Sequence, residues 1–296
     1  MSSAPTAYRG AYTALVTPFR NDRVDEAAFI HLVEEQIKGG IDGLVPVGTT
    51  GESATLSTEE HLRVIELAVQ VVKGRVPVFA GTGSNSTTEA IHLTQQAEKA
   101  GVTGALVVSP YYNKPTQAGL VAHYSALAQS TSLPIIAYSI PGRTGMEIAV
   151  DTIAKLAEKH ANIVGLKESA GSIDRFCSLR QALPETFSLF SGDDFITLAA
   201  LAVGAVGVIS VASNLIPGQI AGLVRTFQKG HVAEAEKIQR RLYPLFRDLF
   251  IEGNPVPAKT ALARQGWMTA DVRLPLVELL PQNRAKLEGT LKALGL

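Results

Sequence analysis

Short apolar runs alternate along the chain with longer amphipathic segments, and the alternation recurs at intervals of roughly 20 to 35 residues, the size of one β/α unit. The segments between the runs predict helices, two of which have clear N-terminal capping signals at Ser57 and Ser86. The runs predict eight strands, at residues 12–17, 43–47, 76–80, 104–108, 135–138, 163–167, 187–191 and 206–211.

Eight consecutive β/α units indicate a closed parallel (β/α)₈ barrel, which we place at residues 1–219. An open doubly wound sheet is the alternative, but the usual Gly-x-Gly-x-x-Gly does not follow the first strand. After the eighth strand the pattern becomes purely helical, so residues 220–296 are predicted to form a C-terminal helical domain. Its stripe from Leu242 to Phe250 is typical of a core or a subunit interface.

Composition narrows the classes of function. With 296 residues, 46% of them hydrophobic, the chain can bury a large core. The 27 basic and 27 acidic residues balance, which argues against nucleic acid as a partner. We expect no secretion signal in residues 1–10 and no membrane span. The single cysteine, Cys177, cannot form an intramolecular disulfide; it suits a cytoplasmic location and is expected to pack within a helix.

Lys167 is the residue that points most directly to chemistry, because it ends the apolar run of the sixth predicted strand. Burial favours the uncharged amine, which can attack a carbonyl group and form a Schiff base. The ordinary alternative is a lysine that reaches from the strand end to solvent. In a (β/α)₈ barrel the active site lies at the C-terminal ends of the strands, so the position of Lys167 favours the catalytic interpretation.

Other candidate residues follow different strands and should lie at the same rim. Residues 48–53 read Gly-Thr-Thr-Gly-Glu-Ser, and their backbone N–H groups with Thr49 and Thr50 could bind a carboxylate. Tyr138 could relay protons, and Arg143 could bind a second anion. An iminium formed from a 2-oxo acid would yield an enamine able to attack an aldehyde, so the set indicates aldol-type chemistry.

The aspartates after the seventh strand, Asp193 and Asp194, could suggest a metal ion. No third ligand is apparent in the sequence, so we expect no metal and interpret this pair as a helix N-cap.

Taken together, five segments of the chain resemble the 4-hydroxy-tetrahydrodipicolinate synthase (dihydrodipicolinate synthase) family of pyruvate-dependent, class I aldolase-like barrels, which also include N-acetylneuraminate lyase. The resemblance covers nearly the whole chain and depends on the order and spacing of the motifs. These are Gly-Thr-Thr-Gly-Glu at 48–52, Tyr-Tyr-Asn at 111–113, Tyr138 with Pro-Gly-Arg-Thr-Gly at 141–145, Val-Gly-Leu-Lys-Glu at 164–168 and Asn-Pro-Val-Pro-Ala-Lys at 254–259.

The resemblance implies condensation of pyruvate with L-aspartate-4-semialdehyde, on the route to lysine and meso-diaminopimelate, without a metal or organic cofactor. It makes Lys167 the Schiff-base lysine and Tyr138 the proton relay, with Thr50 linking Tyr138 to a Tyr112 supplied by a neighbouring subunit. Arg143 would bind the carboxylate of the semialdehyde. The pyruvate would be surrounded by Thr49, Thr50 and the backbone at Gly192 and Ile209.

The resemblance also implies a homotetramer, a dimer of dimers, with an L-lysine inhibitor site at a subunit interface. Thr58 stands where inhibited members often carry histidine, so the sequence does not predict whether this chain is inhibited. The matching positions are Ser53, Ala54, Thr58, His61, Asn85, Glu89 and Tyr111.

The sequence leaves two alternative functions to consider. A sister aldolase or lyase would act on sialic or keto-deoxy sugar acids, but the cation of Arg143 suits the carboxylate of a short amino-aldehyde better than a neutral polyol. A ligand-binding barrel without catalysis is disfavoured because Lys167, Tyr138, Thr50 and Tyr112 are all present.

Overall fold

The structure is a computed structural model that describes residues 8–296. Residues 1–7, which include most of the stretch where we expect no secretion signal, lie outside the described residues. The described chain forms a parallel barrel, and each predicted strand overlaps one of its strands. These are β1 (Gly10–Ala14), β2 (Gly43–Val45), β3 (Phe79–Gly81), β4 (Gly104–Val108), β5 (Ile135–Ser139), β6 (Ile163–Glu168), β7 (Ser188–Ser191) and β8 (Gly207–Ser210).

The barrel strands pair in parallel in the order β2-β1-β8-β7-β6-β5-β4-β3. A parallel bridge between Leu44 and Val78 joins the two ends of this sheet. The predicted (β/α)₈ barrel is therefore confirmed, and the alternative of an open doubly wound sheet is wrong. A short antiparallel hairpin after β1, Phe19–Arg20 with Arg23–Val24, was not predicted.

Helices follow the barrel strands and then continue to the C-terminus. The helices are α1 (Glu26–Lys38), α2 (Thr58–Val72), α3 (Thr87–Ala100), α4 (Gln117–Ser130), α5 (Pro141–Thr144), α6 (Val150–Lys159), α7 (Ile173–Ala182), α8 (Thr197–Ala202), α9 (Pro217–Gln228), α10 (Val232–Asp248), α11 (Val256–Arg264) and α12 (Pro281–Ala293). The predicted N-caps are confirmed, because Ser57 accepts from Glu60 N–H within a full capping box and Ser86 accepts from Glu89 N–H.

Aromatic side chains fill the inside of the barrel. The Tyr12 ring stacks on Phe190 at a centroid distance of 5.2 Å and on Phe79 at 6.1 Å. Glycine is required beside these rings: a Cβ at Gly43 would lie 2.2 Å from the Tyr12 ring, and one at Gly104 would lie 2.3 Å from the Phe79 ring. The packed interior restricts ligands to the strand ends.

The C-terminal region differs in part from the prediction. Its apolar stripe is buried at Leu242, Leu245, Phe246 and Leu249, whereas Phe250 is half-exposed. Residues 265–280 are not helical but return to the barrel, where the Thr269 hydroxyl donates to the Phe19 carbonyl. The division at residues 219 and 220 stays a prediction, and this boundary lies inside α9.

Two further observations concern the single cysteine and the apolar character of the helices. Cys177 is exposed on α7, so the expected packing role of its side chain is wrong. Among residues 8–296, no helix combines the length and the apolar character that crossing a bilayer requires.

Candidate functional site

Lys167 and Tyr138 meet at the C-terminal ends of adjacent strands. They are paired in register between β6 and β5, and both are only 5% exposed. The Lys167 amine lies 4.2 Å from the centroid of the Tyr138 ring. An amine and a phenol that are buried side by side at the open end of a barrel can form a covalent adduct and move protons.

Gly192 lies directly against the lysine, at the end of β7. Its N–H donates to the Glu168 carbonyl at 2.8 Å. A Cβ at this position would lie 2.8 Å from Lys167 Cε and 1.8 Å from Ser169 Oγ, so a side chain larger than hydrogen would displace the lysine. Ile209, on β8, is buried in the same interior cluster as Tyr138. Gly192 therefore lies against Lys167, and Ile209 shares the interior cluster of Tyr138, while their role in binding pyruvate stays a prediction.

The loop after β2 brings Thr49 and Thr50 to the same rim. Thr50 is 3% exposed, and its Oγ1 accepts a hydrogen bond from Asn254 Nδ2 at 2.9 Å. The backbone carbonyl of Asn254 in turn accepts from the Arg143 guanidinium at 3.2 Å. Asn254, two residues before the start of α11, therefore contacts both the loop after β2 and the short helix after β5.

A buried ion pair anchors that loop to the C-terminal region. Glu52 accepts from Lys259 Nζ at 2.7 Å, with side-chain exposures of 2% and 0%. The second carboxylate oxygen of Glu52 accepts from the Arg273 N–H at 3.2 Å. Glu52 has a φ of 53°, a conformation that residues other than glycine seldom adopt. The contacts to α11 and to residues 265–280 hold it there.

A cavity of about 450 Å³ opens beside the loop after β2. Arg143 and Thr49 line it, together with six of the seven residues of the predicted inhibitor site. Asn85 does not line the cavity; its backbone carbonyl accepts a hydrogen bond from the Asn113 side chain at 2.9 Å. The six residues are Ser53, Ala54, Thr58, His61, Glu89 and Tyr111.

Two of these lining residues, His61 and Glu89, have different environments. His61 is buried, and its Nε2 lies 2.8 Å from the Gly81 carbonyl. Burial lowers the pKa of His61, although the Gly81 carbonyl and Glu89 oppose this effect, so its ring is neutral at pH 7. Glu89 accepts a hydrogen bond from Ser84 and presents a carboxylate to the cavity. The cavity can therefore take a ligand that carries both a cation and hydrogen-bonding groups.

Tyr112 is the predicted catalytic residue that the fold does not bring to Lys167. Its side chain is 91% exposed, and its φ of 71° is unusual for an aromatic residue. The structure gives one chain only, so the proposed role across an interface stays a prediction.

The aspartate pair does not act as predicted. Asp194 is buried, and its carboxylate accepts from the N–H groups of Val211 and Ala212, each at 3.0 Å. It thus binds the chain after β8 and does not cap the helix that follows it, which corrects our N-cap interpretation. Residues 8–296 contain no group of three or more His, Cys, Asp or Glu side chains arranged to hold a metal ion.

Asp193 lies close enough to Lys167 to interact with it electrostatically. Burial raises the pKa of Asp193 to about 6, the charge of Lys167 opposes that rise, and the neighbouring Asp194 adds to it. Above about pH 6 the Asp193 carboxylate therefore places a negative charge near the lysine.

Sequence reasoning missed three features of the site. Asn254 was noted only as part of a motif, although it contacts Thr50 and Arg143 directly. The pairing of Glu52 with Lys259 joins positions 207 residues apart. Ser169 carries a buried hydroxyl that has no hydrogen-bond partner within the described residues. No local pattern indicates such long-range contacts, although a lysine at position 259 within the mostly apolar run of residues 255–263 is a weak signal.

A closed parallel barrel with a buried lysine beside a tyrosine at its strand ends defines an aldolase-like (β/α)₈ barrel. The chain belongs to the dihydrodipicolinate synthetase family, whose sequence model matches residues 7–294.

Relatives in this family match the chain in sequence and structure over nearly their full length. The 4-hydroxy-tetrahydrodipicolinate synthase of Syntrophus aciditrophicus is 52% identical over 289 residues, which cover 98% of this chain and 99% of the relative. The structure of the synthase from Methylacidiphilum fumariolicum SolV is 57% identical, with a TM-score of 0.96 and coverages of 96% and 95%. That of Cyanidioschyzon merolae with lysine bound is 41% identical, with a TM-score of 0.95 and coverages of 97% and 98%.

The raised pKa of Asp193 leads to a prediction about stability. A carboxyl group that holds its proton more tightly in the folded chain stabilises the fold at low pH, and this contribution is lost as pH rises from about 4 through 6. A rise in pKa from 3.8 to about 6 corresponds to about 3 kcal/mol at most. The Asp193→Asn variant should therefore unfold like the natural protein near pH 4 and be more stable near pH 7.

Chemical denaturation at both pH values would measure this difference. Asp174→Asn, which changes an exposed carboxylate on α7, serves as the control and should show no such gain. A difference between Asp193→Asn and the natural protein that is the same at both pH values would contradict the prediction.

Proposed function

We propose that the chain is a 4-hydroxy-tetrahydrodipicolinate synthase, a lyase that condenses pyruvate with L-aspartate-4-semialdehyde. The observation that carries the proposal is the buried Lys167 amine, 4.2 Å from the centroid of the Tyr138 ring, at the open end of the barrel. The family match and the names of its relatives support the choice of substrates. The product would serve lysine and meso-diaminopimelate biosynthesis.

The chemistry begins with attack of the Lys167 amine on the ketone carbon of pyruvate. Loss of water gives an iminium, and loss of a proton from the pyruvate methyl carbon gives an enamine. The enamine carbon then forms a bond to the aldehyde carbon of the semialdehyde, whose oxygen takes up a proton. Finally the amino group of the semialdehyde attacks the iminium carbon and displaces Lys167, which closes the ring and frees the enzyme.

The neighbouring residues take complementary roles in this proposal. Tyr138 is close enough to the amine to move protons during water loss and enamine formation. Thr49, Thr50 and the backbone at Gly192 and Ile209 surround the pyruvate. Arg143, which lines the cavity beside the loop after β2, binds the carboxylate of the semialdehyde through its planar guanidinium.

Trapping of the Schiff base tests this function. Borohydride reduction in the presence of pyruvate should add one pyruvyl group to Lys167, seen by intact mass and peptide mapping. Lys167→Ala should give no adduct and lose condensation by a factor of at least about 10³. Lys155→Ala, on the neighbouring helix α6, should react like the natural protein.

The outcomes of this experiment separate the functions considered. An adduct without condensation of L-aspartate-4-semialdehyde would indicate a sister aldolase with another aldehyde substrate. No adduct, or near-normal turnover in Lys167→Ala, would exclude the mechanism.

We also propose that the enzyme is a homotetramer, a dimer of dimers, in which Tyr112 of one subunit completes the site of its neighbour. The exposed ring and positive φ of Tyr112 support this proposal. A strained, exposed tyrosine is costly in an isolated chain, and an interface would cover it. Tyr112 would then donate a hydrogen bond to the relay that contains Thr50 and Tyr138.

Mixed oligomers test the sharing of Tyr112. A hetero-oligomer of Lys167→Ala and Tyr112→Phe chains should regain activity, because one site of each pair then carries both changes and the other carries neither. The two chains would bear different tags, be refolded together and be purified through both tags. The pairing of Lys167→Ala with a Lys167→Ala/Tyr112→Phe chain is the inactive control. Absence of recovery despite verified mixing would show that Tyr112 does not act across the interface.

We further propose that the cavity beside the loop after β2 binds L-lysine as an inhibitor. The carboxylate of Glu89, the His61 ring and a volume of about 450 Å³ suit a small amino acid with an extra cation. The lysine-bound structure from Cyanidioschyzon merolae supports this choice of ligand. Thr58, in place of the frequent histidine, would weaken the inhibition.

Calorimetric titration with L-lysine tests this binding site. Glu89→Gln should weaken binding at least about tenfold, because it removes the charge opposite the ligand cation. Glu98→Gln, near the other end of α3 and outside the cavity, should bind L-lysine normally. If the natural protein shows no heat of binding, or if Glu89→Gln binds equally well, the cavity is not a lysine site.

A further inference from the structure

Asn254 connects two parts of the site that are far apart in the sequence. Its side-chain amide donates to Thr50 Oγ1 at 2.9 Å, and its backbone carbonyl accepts from Arg143 at 3.2 Å. Asn254 is 6% exposed, so water cannot readily replace these contacts. One residue therefore contacts both the pyruvate side and the semialdehyde side of the proposed site.

The hydrogen bond from Asn254 to Thr50 has a defined direction. In the orientation that the structure gives Asn254, its amide nitrogen faces Thr50, so Thr50 Oγ1 acts as the acceptor and keeps its own proton for another group. Within the described residues the Thr50 hydroxyl donates to no protein atom. Its proton is therefore free to be donated into the cleft.

The position of Asn254 is supported independently of this hydrogen bond. Two residues after Thr50, Glu52 forms its buried ion pair with Lys259 in α11, the helix that begins at Val256. That pair, together with the hydrogen bond from the Arg273 N–H to Glu52, holds the loop against the C-terminal region without the Asn254 amide. Removal of the Asn254 amide should therefore change the orientation of the Thr50 hydroxyl without releasing the loop.

From this geometry we infer that Asn254 is a positioning residue that sets the direction of the proton relay. Its amide fixes Thr50 as a donor toward the tyrosine relay, while its carbonyl holds Arg143 against the cavity. The inference rests on the proposed function, because it gives Asn254 control over residues assigned there. The side chain governs the proton transfers, and the backbone governs the anion site.

Two substitutions at Asn254 test whether the direction of its hydrogen bond to Thr50 matters, or only the existence of that bond. Asn254→Ala removes the donor and leaves the backbone carbonyl, so kcat should fall about tenfold while KM for the semialdehyde stays within about twofold. Asn254→Asp keeps the shape, but its carboxylate only accepts and draws the Thr50 proton towards itself. Its kcat should fall at least as far.

Thr260→Val is the matched control for these variants. It removes a buried hydroxyl from α11 that bonds only to the carbonyl of Val256, so its kinetics should equal those of the natural enzyme. All variants would be compared by steady-state kinetics with both substrates, by borohydride trapping with pyruvate and by thermal denaturation. The Lys167 adduct should still form in both Asn254 variants.

Each outcome decides the inference. A normal kcat in Asn254→Asp would mean that the shape of the side chain alone suffices. A parallel change in kcat and KM would mean that Asn254 has only a structural role. Either result overturns the proposed role. If Asn254→Ala does not fold, Asn254→Asp alone decides between these results. Absence of adduct or condensation in the natural enzyme would instead overturn the proposed function, and this inference with it.

Discussion

Closure of eight parallel strands is the constraint on which the rest of the structure depends. Because all strands run in one direction, their C-terminal ends meet at one rim, where Lys167 and Tyr138 lie in register. The parallel bridge between Leu44 and Val78 joins the last pair of strands. An open sheet would place β2 and β3 at opposite edges and would separate Thr50 from the residues that follow β3 and β4.

The sequence predicted the strands because their signal is local. A strand buried on both faces is a short apolar run, and each of the eight runs overlaps an observed strand. The position of Lys167 followed from the same logic, because a barrel strand delivers its last residue to the rim. The N-caps Ser57 and Ser86 were equally predictable, because the donors and acceptors of a cap lie within four residues of each other.

The sequence could not predict contacts that depend on tertiary structure. Asp194 looked like an N-cap because aspartate often occupies that position, yet its carboxylate binds N–H groups 17 and 18 residues away. The path of residues 265–280 was missed because a helical pattern does not show where the chain turns back. The sequence of one chain carries no signal for the proposed partner surface of Tyr112, because that surface would belong to another molecule.

The ion pair between Glu52 and Lys259 affects the order in which the protein folds during its synthesis on the ribosome. The loop that carries Thr49 and Thr50 emerges early, but Lys259 follows Glu52 by 207 residues, and the anchors at Asn254 and Arg273 are similarly distant. The strands that carry Lys167 and Tyr138 can pair before those anchors exist. Lys167 and Tyr138 can therefore be in place while the loop after β2 still lacks its anchors, and this loop is fixed only after α11 and residues 265–280 have emerged.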